Sequence, residues 1–282
     1  MLGVLLAVGC GLAYGGLDAV RKALLESYRP IALLIQLTLA QSIAYATWVG
    51  GVGFRVTGDY LPYGAAVAVL QIAANLLLLE ALKISELGRT IPFLSLTPIF
   101  TAGIGAVALG EAPGELQWLG TSFVTLGAAL LALVPSRSGG LRIDFGSGLA
   151  ISVAGLWSLT AALDRWAVDE SNPASHAFLQ AAGTALVLGS WALCARIPMW
   201  PHKQRGAMLL AVVFGSVALA CQLTAIQFTW VSLVETIKRA AGALLALVVG
   251  RLRFQEPVDR RKLLGVLAVV VGTSLVLLGH SG

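Results

Sequence analysis

Apolar and polar positions along the chain alternate in long blocks. Runs of about 20 mostly apolar residues, the length that carries a helix across hydrocarbon, are separated by short polar or Pro/Gly-rich links. Cutting at that punctuation predicts ten transmembrane helices, over 2–24, 30–50, 61–82, 87–109, 115–135, 146–167, 173–195, 206–228, 231–250 and 262–280. The links are too short to hold an extramembrane domain, so the expected fold class is an all-α membrane protein.

The block pattern repeats. Gly11-Leu12 recurs at Gly155-Leu156, Arg21 at Arg165, and Glu26-Ser27 at Glu170-Ser171, with Pro30 nearly in register with Pro173. Later in each half, Gly-Glu-Ala-Pro over 110–113 answers Gln-Glu-Pro over 255–257, and Gly120 and Gly127 answer Gly265 and Gly272. Two five-helix units are therefore expected, 1–140 and 141–282. An odd number of spans per unit sends the second copy into the membrane upside down. Such an inverted repeat puts a binding site near the midplane between the halves, with access alternating as one half rocks on the other.

Composition agrees: 57% of the 282 residues are hydrophobic and only 12% charged, against about 25% charged in an average soluble domain. The net charge of +5 forms no basic face outside the spans, so nucleic acid is not an expected partner; membrane lipid is. Lys and Arg concentrate in the links after odd-numbered helices, Arg89 among them. Positive-inside reasoning places those links in the cytoplasm, both termini outside, and the chain in a cytoplasmic (inner) membrane as a multi-pass protein. The N-terminus lacks a basic n-region and reads as the first span. Cys10, Cys194 and Cys221 lie in apolar segments without metal-ligand spacing.

Residues 81–131 carry an ordered set of features: a polar turn, a fourth helix containing Pro92 and Pro98, a Gly-Glu-x-Pro link, and a fifth helix with Gly120 and Gly127. This order resembles the EamA-type half of the drug/metabolite transporter superfamily, and RLRFQEPVDRRKLLGVLAVVVGTSLVLL repeats it in the second half. The resemblance spans the chain and implies a ten-helix transporter. Related proteins move amino acids, nucleotide sugars, phosphorylated metabolites and drugs, so the resemblance leaves the substrate open. The aromatic Trp-Gly usual in the first helix is Tyr14-Gly15 here, with Trp157-Ser158 as its counterpart.

The ninth span opens with Glu235, Lys238 and Arg239, on neighbouring parts of one helix face. A charge at bilayer depth costs about 2.5–3.5 kcal/mol on insertion scales, so the cluster is not expected to face lipid. Glu235 neutralises one cation; Lys238, with Arg239, binds an anionic group of the substrate, or the remaining cation pairs internally with Glu80 or Glu86, or the long side chains snorkel to the interface. Gln71 and Asn75, spaced i,i+4 in the third span, together with Gln222, Tyr14 and Trp157, are the expected hydrogen-bonding and stacking groups around a midplane ligand. Asp18 with Arg21 and Lys22, and Asp164 beside Arg165, suit gate ion pairs or interfacial anchors equally. Pro92 and Pro98 break the fourth helix, as gates or cavity walls or as static kinks. Glu111 and Glu256 are placed to cap the last helix of each unit, with proton carriage as the alternative role. His176, His202 and His280 have no second ligand at metal spacing, so no metal is assigned.

No GxxxxGK[ST] loop and no catalytic constellation occur, so neither ATP hydrolysis on this chain nor an enzyme is expected, and no cofactor. The expected partners are a small-molecule substrate and a coupling proton or counter-substrate, with Glu80, Glu86 and Glu235 as candidate proton carriers; a monomer suffices. The leading expectation is a secondary transporter of a small polar, anionic metabolite. A flippase for polyprenyl-phosphate-linked sugar and a multidrug cation exporter are the alternatives.

Overall fold

The computed structural model describes residues 1–84, 93–111, 113–132, 145–197, 204–254 and 260–281. Among them every regular element is helical: α1 (Leu2–Leu24), α2 (Pro30–Val52), α3 (Tyr60–Ile84), α4 (Thr97–Ile104) continued by a π-turn (Gly105–Leu109), α5 (Glu115–Ala132), α6 (Phe145–Asp169), α7 (Pro173–Cys194), α8 (Arg205–Ala225), α9 (Val231–Phe254) and α10 (Arg260–Ser281). Of these, α1, α2, α3, α7, α8 and α10 are long and apolar enough to cross a membrane. Proline marks starts where its missing N–H costs nothing: Pro30 opens α2 and Pro173 opens α7. Asn172 caps α7, its Oδ1 accepting the Ser175 N–H at 2.8 Å.

The fourth helix departs from expectation. The described part of 87–109 is not one kinked rod: a turn at Ser95-Leu96 precedes α4, and Pro98 sits in the first turn of the new helix. Pro98 therefore starts a helix and does not kink one, because a first-turn residue needs no N–H partner. Pro92 lies outside the described residues.

Packing runs mainly between the two halves of the chain. α1 lies on α8 and α9, and α6 correspondingly on α3 and α4; α2 pairs with α7, and α5 with α10. The set of partners is unchanged when the halves are exchanged. Glycine sets the closest of these approaches. A Cβ on Gly120 would fall 2.6 Å from the Gly272 carbonyl oxygen, and one on Gly127 would fall 2.7 Å from that of Gly265. The contacts also fix direction: as α5 advances from 120 to 127, its neighbours on α10 recede from 272 to 265, so these equivalent helices run antiparallel. α1 likewise runs against α8, with Gly9 near Cys221 and Gly16 near Phe214, and with α9, with Gly11 on Lys238 and Gly15 on Gly242.

Candidate functional site

The polar cluster is built where α1, α3, α4, α6, α8 and α9 meet. α9 brings its charges there because its first turn is held from outside. The Glu111 carboxylate accepts the N–H groups of Val231 (2.6 Å) and Ser232 (3.2 Å) and the Ser232 hydroxyl (2.7 Å). This corrects the sequence expectation: Glu111 caps α9 of the other half, not the α5 that follows it. The start of α5 is served by Gln117, whose Oε1 accepts the Gly114 N–H at 2.9 Å. Glu256 lies outside the described residues.

One turn into α9, Glu235 and Lys238 are buried, 2% and 9% exposed. The Lys238 ammonium donates to Glu235 Oε1 and, at 3.1 Å, to Gln222 Oε1 on α8, and lies 5.2 Å from the Tyr14 ring centroid. The Cys10 thiol also reaches Gln222 Oε1, at 3.9 Å. Gly11 lets the α1 backbone approach the Lys238 carbonyl, which brings Tyr14 alongside. Lys238 is thus held by a carboxylate, an amide and a π face. Glu235 Oε2 has no hydrogen-bond partner among the described residues.

Arg239 leaves the helix in another direction. Its NH2 donates to Thr97 Oγ1 at 3.2 Å, and its guanidinium carbon lies 5.7 Å from the Trp157 ring centroid. The first turn of α4 is itself tied to α6, Ser158 donating to the Thr97 carbonyl at 3.1 Å. Tyr14 and Trp157, counterparts in the two halves, therefore each carry one cation of α9. Arg239 Nε has no acceptor among the described residues.

Arg21 of α1 supplies a third cation. It is 7% exposed, its NH1 lies 3.6 Å from Asp18 Oδ1, and its NH2 donates to Asn75 Oδ1 at 3.3 Å. Asn75 Nδ2 in turn donates to Gln71, at 2.9 Å to the carbonyl and 3.2 Å to Oε1. Arg21 Nε and NH1 make no hydrogen bond among the described residues. Asp18 is within electrostatic reach of Arg21, Arg239 and Lys238. Among the described residues the cluster holds three cations and two carboxylates, with unused guanidinium N–H groups on both arginines. Such an arrangement can receive an anion, since guanidinium forks match carboxylate and phosphate geometry.

The structure thus brings together Tyr14, Asp18, Gln71, Asn75, Trp157, Gln222, Glu235, Lys238 and Arg239. Glu80 is half-buried near the end of α3 and is not among these contacts. Glu86 and Arg89 lie outside the described residues. Asp164 does not pair with its neighbour Arg165. Arg165 turns to Asp169 at 3.2 Å and to the Ile226 carbonyl, while Asp164 Oδ1 lies 3.0 Å from His176 Nε2. His176 therefore has a carboxylate partner that sequence spacing did not reveal. Among the described residues no group of three or more His, Cys, Asp or Glu is placed to hold a metal.

The comparisons with known proteins agree with this architecture. One solved crystal structure of a protein superposes with a TM-score of 0.80 over 99% of this chain and 97% of its own, at 18% identity, which establishes a shared fold. No curated protein matches. The model of the EamA-like transporter family matches twice, over 1–133 and 144–278. Two matches, one to each half, account for the repeat and for packing that survives exchange of the halves: this chain belongs to the EamA-like transporter family and is a membrane transporter of small molecules.

Proposed function

We propose that the protein is a ten-span, inverted-repeat secondary transporter of a small polar metabolite bearing a carboxylate or phosphate, working by alternating access. The cytoplasmic membrane is its expected site and a monomer its working unit. The observation that carries the reading is the charge imbalance of the cluster among the described residues, three cations against two carboxylates at the junction of the two halves. Lys238 is already satisfied by Glu235 and Gln222. Arg239 and Arg21, with open N–H groups, are the primary anion contacts, which shifts the binding role expected of Lys238 toward its neighbour. Asp18 is their resident counter-ion, displaced or shared when substrate enters. A lipophilic cation fits poorly, because both carboxylates already face cations.

Ligand-dependent thermal stabilisation tests this. A ligand that binds only the folded state raises the melting temperature by mass action. Panels of anionic metabolites, polyprenyl phosphates, amino acids and lipophilic cations are compared on the purified protein. Stabilisation by small anions, weakened at least about tenfold in affinity (about 1.4 kcal/mol) by Arg239→Ala, is the expected result. Stabilisation by lipophilic cations alone would replace the reading with multidrug export, and a response confined to polyprenyl phosphates would replace it with lipid-linked sugar flipping.

A further inference from the structure

A second buried ionisable group lies away from the cluster, where the links after α2 and α6 meet. The two links are clasped together. The Thr57 N–H donates to the Glu170 carbonyl at 2.9 Å, the Thr57 hydroxyl to the Glu170 carboxylate, the Arg55 N–H to Ser175 Oγ at 3.0 Å, and Asn172 Nδ2 to the Gly53 carbonyl at 3.1 Å. Directly beneath lies a chain of three side chains: Asp164 Oδ1 to His176 Nε2 at 3.0 Å, and His176 Nδ1 to the Tyr60 hydroxyl at 2.8 Å. Their exposures are 2%, 1% and 6%. Tyr60 folds across Gly64, which has no side chain to obstruct it, and Gln180 donates to the Gly64 carbonyl at 2.8 Å.

Counting hydrogens shows what the chain lacks. A neutral His176 that donates from Nε2 to Asp164 and accepts the Tyr60 hydroxyl at Nδ1 completes both bonds. It also leaves a net negative charge in a dry site, with Asp164 Oδ2 unpartnered among the described residues. A lone buried carboxylate is costly. One further proton, on the imidazole or on the carboxyl, makes the site neutral. The neighbouring charges do not replace it. On α6, Arg165 is turned to Asp169 and the Ile226 carbonyl. On the α2–α3 link, Arg55 and Asp59 are exposed, and Glu170 is engaged by Thr57. Tyr63 of α3 packs on Trp166.

We propose that Tyr60, His176 and Asp164 form a proton-binding site whose occupancy holds this end of the molecule closed. The proton adds to the Asp164–His176 pair, with no bond broken elsewhere, and leaves when the clasp opens and water reaches the carboxylate. The idea rests on the alternating-access reading for the meaning of closure, but its test reads the clasp and not the substrate. A failure of the ligand panel and a failure here are therefore separate results.

The experiment uses the full chain in lipid, with Cys10, Cys194 and Cys221 replaced by serine and spin labels at positions 57 and 170. Labelling removes the Glu170 carboxyl, and with it that group's own titration. Distances are recorded from about pH 5.5 to about pH 8, the range in which histidine ordinarily changes charge. If closure binds the proton more tightly than the open state, the ratio of short to long distances falls as pH rises, by at most about tenfold per pH unit for one proton. His176→Gln moves the midpoint of that response, because the Asp164 carboxyl alone then holds the proton. Asp164→Asn, which presents a permanently neutral group, keeps the short distance at every pH and tests the idea even if His176→Gln fails to fold. A wild-type ratio that is flat or rises with pH overturns the proposal, as does an unchanged response in His176→Gln or wild-type behaviour in Asp164→Asn.

Discussion

Glu111 is the residue whose removal the structure allows to be worked through most fully. Glu111 is 8% exposed, and its carboxylate accepts two backbone N–H groups and one hydroxyl at the first turn of α9. A hydrogen bond to a charged group is worth about 1.5–3 kcal/mol. Loss of a capping side chain costs about 0.5–2 kcal/mol, and a favourable charge at a partly buried helix end contributes up to about 2 kcal/mol. These contributions overlap, so Glu111→Ala is expected to cost about 2–4 kcal/mol. At about 2–4 °C per kcal/mol for a chain of this class, that lowers the melting temperature by about 5–15 °C. Glu111→Gln keeps an acceptor, loses the charge, and is expected to fall between.

Gly105 makes the argument sharper, because a Cβ there would lie 2.8 Å from Glu111 Oε2. Gly105→Ala is therefore destabilising while Glu111 is present, since it displaces the carboxylate from Val231 and Ser232. In the Glu111→Ala background the obstruction is gone and the same change is neutral. The double-mutant cycle, read by thermal unfolding in detergent, should show coupling of about 1–2 kcal/mol, within the range for residues in contact. A Glu111→Ala melting temperature within about 1 °C of wild type, by the scale above, or additive effects of the two substitutions, would refute the capping account.

Lys238→Ala leaves Glu235 buried without its cation and should destabilise by about 3–5 kcal/mol, whereas Glu235→Gln with Lys238→Gln should recover most of the loss; equal melting of the single and double variants would refute the pairing. Gly120→Ala inserts a methyl group against the Gly272 carbonyl and should cost about 1–3 kcal/mol. Gly103→Ala, with nothing within 4 Å of its Cβ, should be neutral or stabilising by up to about 1 kcal/mol; thermal unfolding separates the two. Arg239→Lys keeps the charge but loses the planar fork over Trp157, and should weaken anion-dependent stabilisation while leaving the melting temperature without ligand close to wild type.

Helix positions were legible in the sequence because a membrane helix satisfies its backbone internally and advertises itself by length and apolarity alone. The repeat was legible because like residues recur at a nearly constant offset, Arg21 to Arg165 and Gly120 to Gly265. Contacts between the halves were not. An offset says that α5 and α10 are equivalent, but not that they touch, nor that Glu111 would cap α9 and not its own successor. On α9 the spacing of Glu235, Lys238 and Arg239 showed that Glu235 and a cation could pair within that helix. It could not say which cation would find Gln222 and Tyr14 and which Thr97 and Trp157. His176 illustrates the same limit: its partner Asp164 is on the preceding helix, and Tyr60 is in the other half.

That limit separates the site's contacts by what relative motion of the halves does to them. Glu235 and Lys238 belong to one helix and move together, so their pairing survives any rigid-body rocking of one half on the other. Asp18 and Arg21, both on α1, behave alike. Arg239 with Thr97 joins α9 to α4, Arg239 with Trp157 joins α9 to α6, Lys238 with Tyr14 joins α9 to α1, and the Glu111 cap joins α9 to the link before α5. Three of these four cross between the halves, and α9 is the common member. In the alternating-access cycle proposed above those contacts would be remade as the halves rock, while the intrahelical pairs would keep their charges neutralised throughout. The two cations at the crossing contacts, Arg239 and Lys238, differ in this respect: Lys238 keeps a carboxylate whatever the halves do, and Arg239 does not. On the proposed alternating-access reading, an anion that satisfied Arg239 during the exchange would replace what the moving interface withdraws, and the substrate would itself lower the barrier between the inward-open and outward-open states.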